Sequence, residues 1–319
     1  MKTLLSSFLL ALLVAFIVAL SLSLGAVSLS FEQILSGFDA SSEFYFTIHE
    51  YRLPRSILAI LVGGMMALSG ALVQGVIRNP LASPDVLGVS QGAGLAAVIL
   101  MTIFPSVSIF WLPWAALSGG IIAALFLWFL CGSHSGAIKL AITGVAMAAL
   151  YSSAVDFLML TKPLEVNNAL LWLTGSLWGR GWNQITMLLP WLVLIPFAFS
   201  LAKRLNLIGL GDDVATSLGT SISMTRLWAL TIAVGLTASC VSICGPIGFL
   251  GLIAPHLARR LVGGRHQVLL PCTMLVGMVI LLLADLVARI INPPIELSAG
   301  IMTAIIGAPY FLWLLFKVR

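Results

Sequence analysis

Charge is what this sequence has least of. Only 8% of its 319 residues are Asp, Glu, Lys or Arg, against about 25% in an ordinary soluble domain. So few charges cannot solvate the surface of a water-soluble globule of this length. Cysteine is scarce as well: Cys131, Cys240, Cys244 and Cys272 all fall in or at the edge of apolar runs. Cys240 and Cys244 share a helix face, but no His or acid stands beside them at ligand spacing. They read as packing residues, not as a disulfide framework or a metal site. His49, His134, His256 and His266 are scattered, with no His-Glu-x-x-His spacing. No nucleophile, base and metal ligands converge, so a membrane enzyme finds no support. A Gly-x-x-x-x-Gly-Lys-Ser/Thr phosphate loop is also missing, so the chain cannot hydrolyse ATP itself. The net charge is +5, but there is no basic stripe interleaved with aromatics, and nucleic acid is not an expected partner.

Long apolar runs are what is there. Hydrophobic residues make up 60% of the chain, and stretches of about 20 recur to its end, each long enough to cross about 30 Å of hydrocarbon. Hydropathy places ten spans near 4–25, 54–76, 90–105, 111–131, 139–160, 184–202, 226–244, 247–262, 268–291 and 298–316. The expectation is an all-α membrane protein in which residues 1–319 form one domain. The first span is read as a retained helix and not a signal peptide, because it is too long for a signal core and no small-x-small site follows it. The third and eighth spans are short. The seventh and eighth meet at Cys244-Gly245-Pro246, where a re-entrant turn or half-helix fits.

Basic residues in the loops set orientation. With the N-terminus inside, the cytosolic set is Lys2, Arg78, Lys139, Lys203, Arg204, Arg226, Arg259, Arg260, Arg265, Lys317 and Arg319. Only Arg52, Arg55, Lys162, Arg180 and Arg289 fall outside. Both termini are then cytosolic. So is the one soluble island, Lys203–Arg226, which carries Asp212 and Asp213 and is punctuated by Gly209, Gly211 and Gly219. From Asp212 to Leu218 the pattern is that of a short helix with Asp at its start and Gly at its end. Such a helix between two spans is a handle that a soluble motor can push; a solvated loop touching nothing fits the same pattern.

At the other end, Glu50-Tyr51-Arg52-Leu53-Pro54-Arg55 opens the second span, with Pro54 in a helix's first turn. Arg52 and Arg55 read either as interfacial anchors or as grips for a partner's carboxylates. Arg289 follows Asp285 by one helical turn, a spacing that neutralises itself inside a span and still leaves the head group able to face outward. The second span ends in Arg78-Asn79-Pro80-Leu81-Ala82-Ser83-Pro84-Asp85, whose two prolines make a rigid cytosolic elbow. An ion-coupled carrier would usually place acids or His at mid-membrane. The nearest are Asp156 and Asp285, both in outer halves of spans, and His256, which reads as a packing residue.

The blocks RLPRSILAILVGGMMALSGALVQGVIRNPLASPDVLGVSQGAG, ALLWLTGSLWGR, LGDDVATSLG, GPIGFLGLIAPHLARRLVGGRH, LLADLVAR and GAPYFLWLL span nearly the whole chain in order. Together they resemble the membrane permeases of bacterial iron-siderophore and vitamin B12 ABC importers. EYRLPR, VNNALLWLTGSLWGR and GAPYFLWLL look most like the second permease of the ferric-dicitrate branch. The resemblance implies the ten-helix type II importer permease fold in a bacterial inner membrane. It implies a second permease, here in a heterodimer, two copies of a cytosolic ATPase that bind the ATP, and a periplasmic binding protein. No cofactor is implied in the chain itself. The ATPase contact falls on Asp212, Asp213, Ala215, Thr216, Ser217, Leu218 and Gly219, and binding-protein docking on Arg52, Arg55 and Arg289. The fifth span resembles the pathway-lining gate helix, with Asp156 near its outer end. Ferric dicitrate is the expected cargo, with another siderophore, vitamin B12 or ion-coupled transport as alternatives. ATP depletion in a maintained proton gradient separates the last of these.

Overall fold

The longest buried helix explains the rest of the architecture. In the computed structural model, which describes residues 2–132, 136–162, 166–293 and 295–317, α3 (Leu53–Ile77) is buried over most of its length. A helix apolar all round must be enclosed by other helices or lipid. Around it pack α12 (Ile222–Cys244), α13 (Leu250–Val262) and α14 (His266–Ile290), with α1 (Lys2–Ser23) on the outside of α14. A second group holds α4 (Val89–Ile103), α5 (Leu112–Cys131) and α6 (Ala137–Thr161). Short helices link the spans: α2 (Phe31–Ser36), α7 (Val166–Leu173), α10 (Ala202–Gly209) and α11 (Asp212–Ser217). The sixth span is built from α8 (Trp182–Leu188) and α9 (Leu194–Ser200), joined by a tighter turn at Leu189–Val193 that contains Pro190. α15 (Ala299–Lys317) closes the chain. Arg319, counted above among the cytosolic residues, and His134, one of the scattered histidines, lie outside the described residues.

Each of the ten expected spans coincides with helix. Among the described residues, seven helices are long and apolar enough to cross a membrane, and α4 and α15 are shorter apolar helices. α13 has 13 residues, about 20 Å at 1.5 Å per residue, and cannot cross alone. Small residues carry the close packing, since between helices in lipid van der Waals fit replaces hydrophobic drive. A Cβ on Gly63 would lie 2.6 Å from the Gly277 carbonyl oxygen of α14, so α3 and α14 touch backbone to backbone. Gly70 meets the backbone of Gly251 at the start of α13 in the same way.

The elbow after α3 differs from its sequence reading. Asn79 and Pro80 are exposed, but the chain then turns back among the helices, and Ala82, Pro84 and Leu87 are buried. A Cβ on Gly251 would lie 2.9 Å from Pro84 Cδ, and Gly144 of α6 abuts the Val86 carbonyl. The elbow therefore re-enters the bundle instead of standing in the cytosol. The break between α12 and α13, residues 245–249, re-enters beside it. Non-helical backbone at membrane depth is tolerated only where protein or a wet cavity covers it. Both short helices, α4 and α13, begin at such a segment.

Candidate functional site

Three places gather the polar residues, and the first is the island. α10 and α11 join at Gly211, whose φ of +113° suits glycine. α11 starts at Asp212, but the Asp212 side chain does not cap it. Its carboxylate instead meets Arg78 at 2.8 Å, just past the end of α3, and Arg226 at 3.0 Å, in the first turns of α12. Gly219, at φ +78°, ends the helix. Its N–H donates to Thr216 O at 2.9 Å and the Thr220 N–H donates to Ala215 O at 2.9 Å, which together form a Schellman cap. Ala215 is buried, whereas Asp213, Val214, Thr216, Ser217, Leu218 and Gly219 are exposed. The short helix thus has one foot in the bundle and an open face carrying two large apolar side chains, and its first residue is tied to two spans.

The second place is the opposite end of α3. The sequence reading allowed Arg289 to face outward, but all three outer arginines turn inward, with Arg52 4%, Arg55 1% and Arg289 2% exposed. Arg52 donates to the carbonyls of Leu22 at 2.6 Å, Ser23 at 2.9 Å and Val27 at 2.5 Å, so it caps the C-terminus of α1, where a cation is favoured. Arg55 Nε sits 3.0 Å from both oxygens of Asp285, and its other arm reaches Glu296 at 2.5 Å. Tyr51 joins them, accepting from Arg55 and donating to Glu296, each at 2.9 Å. Arg289 lies 3.4 Å from Asp285 and also bonds Ser21 of α1. The reason is physical: a guanidinium too deep to reach water must find acceptors inside. The Asp285–Arg289 spacing was visible in the sequence. Glu296 and Ser21 were not, since they lie far off in the chain, and Tyr51, one turn before Arg55, was not singled out.

The third place is a cavity of about 660 Å³ where the two re-entrant segments meet α4, α6 and α15. Asp156 lines it, as do Asp85, Ser90, Gln91 and Phe249. Ser90 Oγ donates to Asp85 at 2.6 Å, and Gln91 Oε1 is buried with no protein partner. Phe249 holds φ +65°, which is unusual for a bulky residue and marks strain where the chain turns into α13. Asp85, Ser90 and Gln91 were missed because the elbow was read as cytosolic. Elsewhere His256 packs edge-on to Tyr310, with ring centroids 5.9 Å apart. The four cysteines are buried with no disulfide between them, and the described residues hold no group of three or more metal-type ligands.

Comparison with known proteins decides the family. A model described as the FecCD transport family matches residues 12–317. The chain belongs to this family. It is 48% identical to the Fe(3+) dicitrate transport system permease protein FecD of Escherichia coli, over 94% of each chain. It is 46% identical to the Fe(3+)-citrate import system permease protein YfmE of Bacillus subtilis, over 100% of this chain and 97% of the other. Among solved structures, an inward-facing metal-chelate type ABC transporter superposes with TM-score 0.87 at 34% identity, covering 99% of both chains. For a FecCD chain the three polar places lie on one structure: the island at one end of α3, the arginine network at the other, and the cavity beside the breaks between them. The chain is a multi-pass membrane permease, a transport component that works with other subunits.

Proposed function

We propose that this permease carries a ferric chelate, ferric dicitrate, across the bacterial inner membrane, driven by ATP hydrolysed on a separate subunit. The observation that carries the reading is the pair of relatives at 48% and 46% identity, both named for Fe(3+) citrate. The physical design agrees with it. A bulky chelate needs a roomy passage that does not grip it tightly, and the cavity at the breaks is lined mostly by hydroxyl, amide, backbone and apolar groups, with Asp85 and Asp156 its two carboxylates. A carrier that binds ions would instead need a dedicated site at mid-membrane.

In this reading α11 lies in the cytosol, with both chain termini, and its exposed face sits on one of two ATPase copies. Closure of the ATPase pair pushes α11, and the Asp212 ties to Arg78 and Arg226 carry the displacement into α3 and α12. The motion is a two-state switch biased from both sides of the membrane. A second permease, different in sequence, completes the pathway. The binding protein docks over the outer end, near Arg52, Arg55 and Arg289. These arginines are held by Asp285, Glu296 and backbone carbonyls, so docking through them requires the binding protein's carboxylates to take over from Glu296.

The test is uptake of radiolabelled iron in cells lacking their own ferric-citrate permeases, supplied with this chain and its partner subunits. Ferric citrate uptake that is lost on ATP depletion while a proton gradient persists is the expected result. Uptake that survives depletion, or that follows a hydroxamate or cobalamin instead, contradicts the reading.

A further inference from the structure

The structure contains a second cavity, of about 650 Å³, whose apolar interior takes no part in the transport reading above, although its mouth touches the Asp212–Arg226 tie. It is a cleft between α5, α12 and the broken sixth span, lined by Leu125, Trp128, Trp191, Leu194, Leu230 and Val234. At one end stand Asp212 and Arg226; the other end stops at Gly235. Nine residues of helix separate Arg226 from Gly235, about 13 Å, or nearly half the hydrocarbon thickness. Leu125 is 59% and Trp128 47% exposed, so the cleft opens sideways. We propose that it holds one anionic phospholipid of the leaflet on the island side, its acyl chain in the cleft and its phosphate at Arg226.

The cleft opens sideways between spans, toward the surrounding membrane, where lipid is the occupant at hand. An acyl chain is slim enough, and apolar clefts of this size are ordinary ligand sites. Charge favours an anionic head group. Arg226 uses one arm on Asp212, but its Nε is buried with no partner. Arg78 stands on the other side of the same carboxylate, so the mouth has two guanidiniums for one acid. Lys139 adds a third cation nearby, bonded to the Cys131 carbonyl at 3.0 Å, next to Gly132 of the lining. Exposed Asp213 offsets part of this. Basic pockets between spans are where acidic head groups bind, and Trp128 stands in the last turn of α5, the kind of helix-end position where an indole bridges apolar and polar layers. Such a site needs only a membrane around the helices, on whichever side the island lies.

Native mass spectrometry of the purified full-length chain tests it, with palmitoyl-oleoyl phosphatidylglycerol or phosphatidylcholine of the same acyl chains added in detergent. One phosphatidylglycerol should be retained in preference to phosphatidylcholine. Thr231→Trp, from an exposed position in the lining, should fill the cleft and abolish that preference. Arg226→Gln should weaken phosphatidylglycerol retention roughly fivefold. If Thr231→Trp does not fold, Leu125→Trp closes the cleft from the opposite wall and carries the same reading. Equal retention of the two lipids by the native chain overturns the proposal. So does undiminished phosphatidylglycerol retention in the cleft-filled variant.

Discussion

Asp285 is the residue on which the outer end of the bundle turns. It is 2% exposed and faces Arg55 and Arg289, so its removal leaves two buried guanidiniums with one carboxylate between them. Breaking a buried pair this way typically costs about 3 kcal/mol. Asp285→Ala should therefore lower the unfolding midpoint of the detergent-purified protein markedly, and Tyr51→Phe, which loses two hydrogen bonds at the edge of the network, should lower it less. Glu296 behaves differently because its side chain is 15% exposed and Arg55 keeps Asp285 without it. Glu296→Gln removes the charge paired with one arm of Arg55, which keeps only neutral acceptors there, so binding-protein affinity should rise; a fall would mean that Glu296 itself makes the docking contact. The sequence revealed half of this network. Arg289 and Asp285 declare themselves by helical spacing. Ser21 and Glu296 join through contacts 268 and 241 residues apart in the chain, which no local pattern encodes.

At the scale of elements, α11 and the two breaks matter most. Its tie at Asp212 is partly exposed, with side chains 36% and 42% accessible in the Arg78 pair, so it contributes little to stability. In the proposed mechanism its role is mechanical. Asp212→Ala should leave ATPase assembly intact while the iron moved per ATP falls severalfold, measured as coupled uptake and hydrolysis in vesicles. Gly219→Val should act similarly and cost about 1 kcal/mol as well, because the left-handed φ disfavours a branched side chain. Gly70→Val tests the packing side: its Cβ would strike Gly251 backbone that no rotamer change can move, and little folded protein should reach the membrane. The ten helices were legible because each span is a long apolar run, and the break at Gly245-Pro246 because that dipeptide interrupts helix. The inward course of the elbow was not legible. Its prolines announce rigidity, but its depth is set by Gly251 and Gly144, from other helices.

For the whole molecule, every polar cluster has a place relative to α3, the buried pillar that links the two ends. In the proposed mechanism, work delivered at the island passes to α3 and α12 through Asp212, and to α14 through Asn206, which bonds His266 and Gln267. The chain itself has no phosphate loop, so the account stands on an external motor. The measurement that tests this most directly is iron uptake into proteoliposomes containing the chain, its second permease, the ATPase and the binding protein, with ferric citrate outside the binding-protein face. The account predicts accumulation that requires ATP, proceeds with no ion gradient, and collapses in Asp212→Ala while hydrolysis continues. Accumulation driven by a proton or sodium gradient without ATP, or undiminished coupling in that variant, would contradict it.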